Sequence, residues 1–252
     1  GTLAVIRQAT VNLVPRPAHT LLAVLTYDSV AAACDDVPRL LALHPSAVEL
    51  IPGLLLELAR SVPAYAPLAS FVQGTPPALL VVEFTGDAAL NLRDQAASLG
   101  PRALLVEESS QQKKVWAVRK VGLGLVMSRP GDSRPGPFVE DLSVPVERLG
   151  EFIREMERLL AVYSEAPEEV VVYAHASAGC LHMRPILNLK TPGGRQAMRA
   201  LAEEAVALVI RLGGSVSGEH GDGLARSEWL PRLFGDEILE LFGRLKVAAD
   251  PE

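Results

Sequence analysis

Two kinds of hydrophobic pattern alternate along this chain. Short apolar runs at Thr20–Tyr27, Ala47–Ile51 and Ala78–Phe84 predict strands. Between them apolar residues recur at helical spacing. Val30, Ala33, Cys34, Val37, Leu40 and Leu41 mark one helix across Ser29–Leu43, and Leu54–Ser61 and Ala88–Leu99 mark two more. Pro38 falls inside the first of these and is expected to break or kink it. Pro101–Glu107 leads into a further strand, and Lys113–Val126 reads as a helix through Val115, Val118, Leu123 and Val126.

Met127–Pro137 (MSRPGDSRPGP) is dense in Pro and Gly and predicts a mobile loop, either a plain surface connection or a flap over a site. Phe138–Val144 predicts a strand. Leu149–Val162 is strongly amphipathic, with Phe152, Ile153, Met156, Leu159 and Leu160 as its apolar stripe. Val170–His175 and Leu181–Leu187 predict paired strands joined at Ser177-Ala178-Gly179. Gly193–Leu212 is a long helix ended by Gly213-Gly214, and Ser227–Val247 is a helical tail. This order suits an α+β fold with an antiparallel sheet covered by helices, and a duplicated ferredoxin-like unit is one such arrangement.

Composition narrows the function classes. The 252 residues are 49% hydrophobic and 21% charged, which is ordinary globular usage. A net charge of −6 excludes a broad basic footprint for nucleic acid, and 5% aromatics argues against stacking platforms for single strands. There is no apolar run of membrane-spanning length. The two cysteines, Cys34 and Cys180, form no disulfide framework, so a reduced cytoplasmic setting is expected. The chain opens Gly1-Thr2-Leu3-Ala4 without Met and closes on Pro251-Glu252 without a cap, and it reads as a piece of a longer protein.

Candidate chemistry gathers in two polar turns that hold three of the five histidines. In His175-Ala176-Ser177-Ala178-Gly179-Cys180-Leu181-His182, a hairpin reversal at Ala178-Gly179 would let both imidazoles converge, as metal ligands or as hydrogen-bonded structural histidines. In Ser217-Gly218-Glu219-His220-Gly221-Asp222-Gly223, the glycines permit close backbone approach to a ligand. Glu219 offers an oxygen ligand there and His220 a base near neutral pH; the alternative is a Gly-rich loop whose carboxylates cap the following helix. Ser177 and Ser217 lie near histidines, but no G-x-S-x-G accompanies them, and Cys180 reads as a buried inert thiol. Arg119 and Arg184 are candidates for gripping a substrate carboxylate, each with a solvated or ion-paired alternative; Arg184 shares a strand face with His182.

HASAGCLH (175–182) followed by SGEHGDGLARSE (217–228) resembles the C-terminal domain of FAD-linked oxidases of the vanillyl-alcohol-oxidase type. VWAVRK (115–120), FVEDLSVPVERL (138–149), GTLAVI (1–6) and the tail VAADPE (247–252) extend the likeness over nearly the whole chain. The Ala-Gly-Cys form of the first motif is most similar to long members fused to an iron–sulfur region. The resemblance implies a duplicated ferredoxin-like fold with a helical C-terminal segment from about residue 224. It implies that residues 1–14 close the FAD-binding domain and that 15–252 form the substrate-binding, or cap, domain. It implies FAD-dependent oxidation of a D-2-hydroxy acid of the glycolate, D-lactate or D-2-hydroxyglutarate class.

By the same resemblance His175, His182 and Glu219 match the ligands of a divalent metal (Zn, Mn or Fe). His220 matches the base, and Arg119 the carboxylate-binding arginine, with Arg184 beside it. Gly1, Thr2 and Ile6 match FAD contacts made in the full-length protein. The implied partners are the chain's own FAD-binding domain, a small 2-hydroxy acid, and an iron–sulfur region or other electron acceptor that could hold the protein at a membrane periphery. Ser177, Ala178 and Cys180 replace the commoner Gly, Asp and Asn of the first motif, and Val139 stands where hydroxyglutarate enzymes have Lys. The alternatives are a metal-free relative oxidising another alcohol and a non-catalytic metal or small-acid binding module.

Overall fold

The computed structural model describes residues 5–250, apart from the side chain of Leu123. The first half of the chain runs His19–Tyr27 (β1), Val30–Leu41 (α1), Ala47–Pro52 (β2), Gly53–Ser61 (α2), Ala78–Gly86 (β3), Ala89–Ala97 (α3), Leu104–Val106 (β4) and Ser109–Met127 (α4). The second half runs Arg134–Pro135 (β5), Leu142–Ser143 (β6), Leu149–Tyr163 (α5), Val172–His175 (β7), Cys180–Met183 (β8), Ile186–Leu187 (β9), Pro192–Arg211 (α6), Gly223–Arg226 (α7) and Leu230–Ala249 (α8). No helix among the described residues is long and apolar enough to cross a membrane.

One sheet carries seven strands in the order β4-β1-β3-β2-β7-β8-β6, and every pairing is antiparallel. Its first four strands have the 4-1-3-2 order of a ferredoxin-like unit, with α2 added between the second and third strands of the β-α-β-β-α-β plan. The second half repeats this plan. There β6, β7 and β8 stand as its first, second and third strands, with α5 and α6 as its helices. Its fourth strand is reduced to a single antiparallel bridge, Ser143 to Ser215. The two units meet edge to edge through β2 and β7, where Glu49 lies opposite His175.

The predicted strands are apolar throughout because helices cover the first unit on both faces. Leu22, Val24, Ile51, Leu79 and Val81 pack with Leu55, Leu56 and Ala59 of α2 and Val115, Val118 and Val126 of α4. Residues that alternate with these, among them Leu21, Ala23, Leu50, Leu80 and Val82, face the other way, where α1 and α3 lie against the strands. By the same alternation Glu49 shares its face with Ile51, so it points to the α2–α4 side.

The structure differs from the sequence expectations at several places. Pro38 does not interrupt α1, which continues to Leu41. Val37 and Leu40 are fully buried, and burying each is worth about 1.5–3 kcal/mol, which offsets the hydrogen bond that Pro38 forfeits. The strand expected at 138–144 shrinks to Leu142–Ser143 because Asp141 takes a left-handed backbone, φ 75°, that no strand accommodates. The strand expected at 181–187 divides at Pro185, which has no N–H to give a ladder, and β9 pairs with β5 instead. That pairing corrects the expectation of a mobile loop at 127–137. Besides β5, Arg129 holds Glu169 at 2.7 Å and Ser133 bonds Glu165.

Pro17–Gly221 form one compact unit, which contains the whole sheet. The other joins the N-terminal segment through Arg16 to the segment from Asp222 onward. In that second unit α8 bends at Gly235, φ 77°, and presents Phe234, Ile238, Leu241 and Leu245 as exposed apolar side chains.

Candidate functional site

The hairpin between β7 and β8 builds the centre of the site. Ala176–Ala178 make one tight turn, and Gly179 closes it with φ 68°. A β-carbon there would meet the Val144 carbonyl oxygen at 2.0 Å, so both conformation and space require glycine. The register sets His175 opposite Cys180 and Tyr173 opposite His182. Both imidazoles therefore leave the sheet on one face, with ring centroids 5.4 Å apart. The convergence expected of a hairpin reversal is present.

Glu219 stands between them. Its Oε1 lies 3.1 Å from His182 Nε2 and its Oε2 lies 3.5 Å from His175 Nε2. His220 follows, with Nε2 3.3 Å from Glu219 Oε1 and its ring stacked on His182 at 5.3 Å. His182 is 2% exposed; His220 is largely open to solvent. Burial holds the His182 imidazole below its ordinary pKa, against the attraction of Glu219, so near neutral pH its ring is uncharged and keeps a lone pair for a ligand.

Each histidine has a carboxylate behind it, and each carboxylate an arginine. Glu49 Oε1 is 2.8 Å from His175 Nδ1, and Glu49 Oε2 is 2.8 Å from Arg119 Nη2. Glu140 Oε1 is 3.7 Å from His182 Nδ1, beyond hydrogen-bond range, and 2.9 Å from Arg184 Nη2. The Arg119 guanidinium also lies over the Tyr173 ring, 5.5 Å from its centroid. Among the described residues the buried Nε atoms of both arginines and Nδ1 of His182 have no hydrogen-bond partner. Both predicted arginines are thus at the site, each ion-paired with a carboxylate.

Asp141 organises the second turn. Its carboxylate accepts the Ser217 hydroxyl at 2.6 Å, the Glu219 and His220 backbone N–H groups at 2.9 Å each, and the Cys180 thiol at 3.3 Å, while its carbonyl accepts Gly218 N–H at 2.8 Å. Burial alone would raise this carboxyl. The Ser217 hydroxyl, the two N–H groups and the thiol outweigh burial and hold it below the usual range. Burial and the same hydrogen bond push the Cys180 thiol up to about 12, in keeping with an inert cysteine. Both serines near the histidines are engaged elsewhere: Ser217 with Asp141, and Ser177, which accepts Val48 N–H.

Asp141, Cys180, His182 and Glu219 offer donor atoms within 4.8 Å of one another, as do Glu140, His182 and His220. His182 and Glu219 of the expected ligand trio fall in the first set; His175 falls in neither, though its Nε2 lies 3.5 Å from Glu219 Oε2. Of the expected flavin contacts, Gly1 and Thr2 lie outside the described residues and Ile6 is exposed. Sequence reasoning missed Glu49, Glu140 and Asp141 as members of the site. A lone carboxylate in the apolar strand AVELIP was the signal for Glu49.

An antiparallel sheet of paired ferredoxin-like units, bearing a His/Glu/Arg cluster on one face, defines the class, and comparison with known proteins agrees. The model of the family described as FAD linked oxidases, C-terminal domain, matches residues 16–252, and the chain belongs to that family. The chain is 34% identical to D-2-hydroxyglutarate dehydrogenase of Pseudomonas putida, over all of this chain and 26% of that protein. It is 26% identical to the mitochondrial D-lactate dehydrogenase [cytochrome] of Arabidopsis thaliana, over all of this chain and 44% of that one. It therefore spans about a quarter to a half of these relatives' lengths. Among solved structures, p-cresol methylhydroxylase with substrate bound superposes with a TM-score of 0.64 at 14% identity, covering 94% of this chain and 52% of that one, a likeness of fold.

Proposed function

We propose that this chain is the substrate-binding domain of an FAD-dependent dehydrogenase of D-2-hydroxy acids, and that its histidine cluster holds a divalent metal. One observation carries this reading: two imidazoles direct their Nε2 atoms at the two oxygens of one carboxylate, and each imidazole has a carboxylate–arginine pair behind it. The donor set fits a cation. Asp141, Cys180, His182 and Glu219 offer donor atoms within 4.8 Å of one another, and the Glu219 carboxylate also reaches His175 Nε2 at 3.5 Å. His175, His182 and Glu219 would hold the ion, and mixed nitrogen and oxygen donors suit Zn, Mn or Fe. A divalent ion there would supply the charge that makes a neighbouring 2-hydroxyl more acidic.

Arg119 and Arg184 orient the substrate carboxylate, as guanidinium groups do for planar anions. The 2-hydroxyl proton passes to His220 Nε2, and the open position of that ring lets the proton leave to solvent. The flavin, when bound by the rest of the parent protein, supplies the acceptor for the hydride that leaves C2, and a 2-oxo acid remains. Electrons go on to an iron–sulfur region or another carrier. In this reading residues 1–14 close the flavin-binding domain and 15–252 form the cap. The family match, which begins at residue 16, supports the cap assignment.

Metal content of the full-length protein tests the reading, measured by plasma mass spectrometry beside a His175→Ala/His182→Ala variant. Near-stoichiometric metal in the first and none in the second is expected. No metal in the unaltered protein, even after soaking in zinc and manganese, overturns the metal assignment.

A further inference from the structure

We infer that Glu49, which belongs to neither polar turn, is the positioning carboxylate of this site: it fixes the tautomer of His175 and ties Arg119 to the same ring. The inference rests on the metal reading above and deepens it. Glu49 arrives from the first ferredoxin-like unit, 126 residues before His175, and meets it because β2 and β7 form the seam between the units. Directly paired residues on antiparallel strands present side chains on the same face about 5 Å apart, so the register itself delivers the contact. A carboxylate can only accept. The 2.8 Å approach of Glu49 Oε1 to His175 Nδ1 therefore puts the proton on Nδ1 and leaves the Nε2 lone pair, the one that faces Glu219 at 3.5 Å, to bind a cation.

The surroundings make the carboxylate's role specific. Its side chain is only 11% exposed, so water contributes little to its stabilisation. What balances it is Arg119, whose Nη2 reaches Glu49 Oε2 at 2.8 Å and comes within 3.3–3.4 Å of both His175 ring nitrogens. Glu49 thus holds two functional side chains at once, one ligand and one substrate arginine, in fixed relation. The equivalent contact on the other side is looser, since Glu140 stands 3.7 Å from His182 Nδ1. Glu49 is accordingly the stronger of the two determinants of ligand geometry. Carboxylates placed behind a metal-bound imidazole typically contribute 10- to 100-fold in metal affinity.

The test is zinc affinity of the full-length protein, stripped of metal and titrated with zinc against a fluorescent chelator. Glu49→Gln keeps an acceptor for Nδ1 but removes the charge. Zinc affinity is expected to fall by about 10- to 100-fold. Glu49→Asp keeps the charge on a shorter arm and should recover part of the loss; it also serves as the second variant if Glu49→Gln does not fold. Equal zinc affinity in all three proteins overturns the role of Glu49 and leaves the metal site standing. Failure of the unaltered protein to bind zinc overturns both.

Discussion

The Asp141 carboxylate accepts the backbone N–H of His220 at 2.9 Å, although the two residues are separated by 79 positions. The proposed base is therefore placed by a buried anion that never touches its ring. Asp141→Asn tests this. An amide at that position presents N–H to N–H and leaves buried donors unmatched, at a cost of about 3 kcal/mol. Urea unfolding should show a loss of that order, and proteolysis of the folded protein should quicken within 215–221. Unchanged stability and cleavage would mean that the turn holds itself.

His220→Asn in the full-length enzyme should lower kcat by about 10²- to 10⁴-fold, the usual contribution of a positioned base. Zinc affinity should stay near its original value, because His175, His182 and Glu219 are untouched. A fall in metal binding equal to the fall in turnover would make His220 a ligand instead.

Arg119→Lys and Arg184→Lys each replace a planar fork by a point charge. The loss of one charge-assisted hydrogen bond, about 1.5 kcal/mol, corresponds to a rise in KM of roughly tenfold with kcat nearly kept. Steady-state kinetics on a 2-hydroxy acid and its decarboxylated alcohol separates this from a structural effect. Only the acid should lose affinity.

A pH test concerns stability away from the site. The Tyr27 hydroxyl donates to Asp36 at 2.6 Å, and Arg39 grips both carboxylate oxygens at 2.6 and 2.7 Å. Burial opposes ionisation of Asp36, but Arg39 and Tyr27 outweigh it and hold the carboxyl below its ordinary value. A carboxyl lowered in the folded state adds stability above its unfolded value of about 3.9 and loses it as pH falls through the folded value. Tyr27→Phe should therefore cost about 1 kcal/mol at pH 7 and less near pH 3. Equal losses at both pH values would refute the charge-assisted bond.

Much of this was legible in the sequence because it is local. The strands, the amphipathic helices and the hairpin at Ser177-Ala178-Gly179 follow from patterns within a few residues, and the hairpin alone predicts that His175 and His182 converge. Glu49, Glu140 and Asp141 were not legible as site members. Their partners are supplied by the seam between β2 and β7 and by the left-handed turn before β6, and both depend on strand order. The loop at 127–137 misled for a related reason: its composition describes the free chain, whereas β9, Glu165 and Glu169 hold it from other parts of the sequence.

The missing length of the last strand has a consequence of its own. In the first unit the fourth strand, β4, runs three residues along its neighbour, and its backbone is committed to the ladder. Its counterpart stops after Ser215, a single rung. Had it continued, residues 217–220 would alternate in and out of the sheet, and Glu219 and His220 would point to opposite faces. Ending the ladder early frees the chain to fold over Asp141 and bring both side chains to the same histidine. The repeat that built the sheet had to be left unfinished for its surface to become a site.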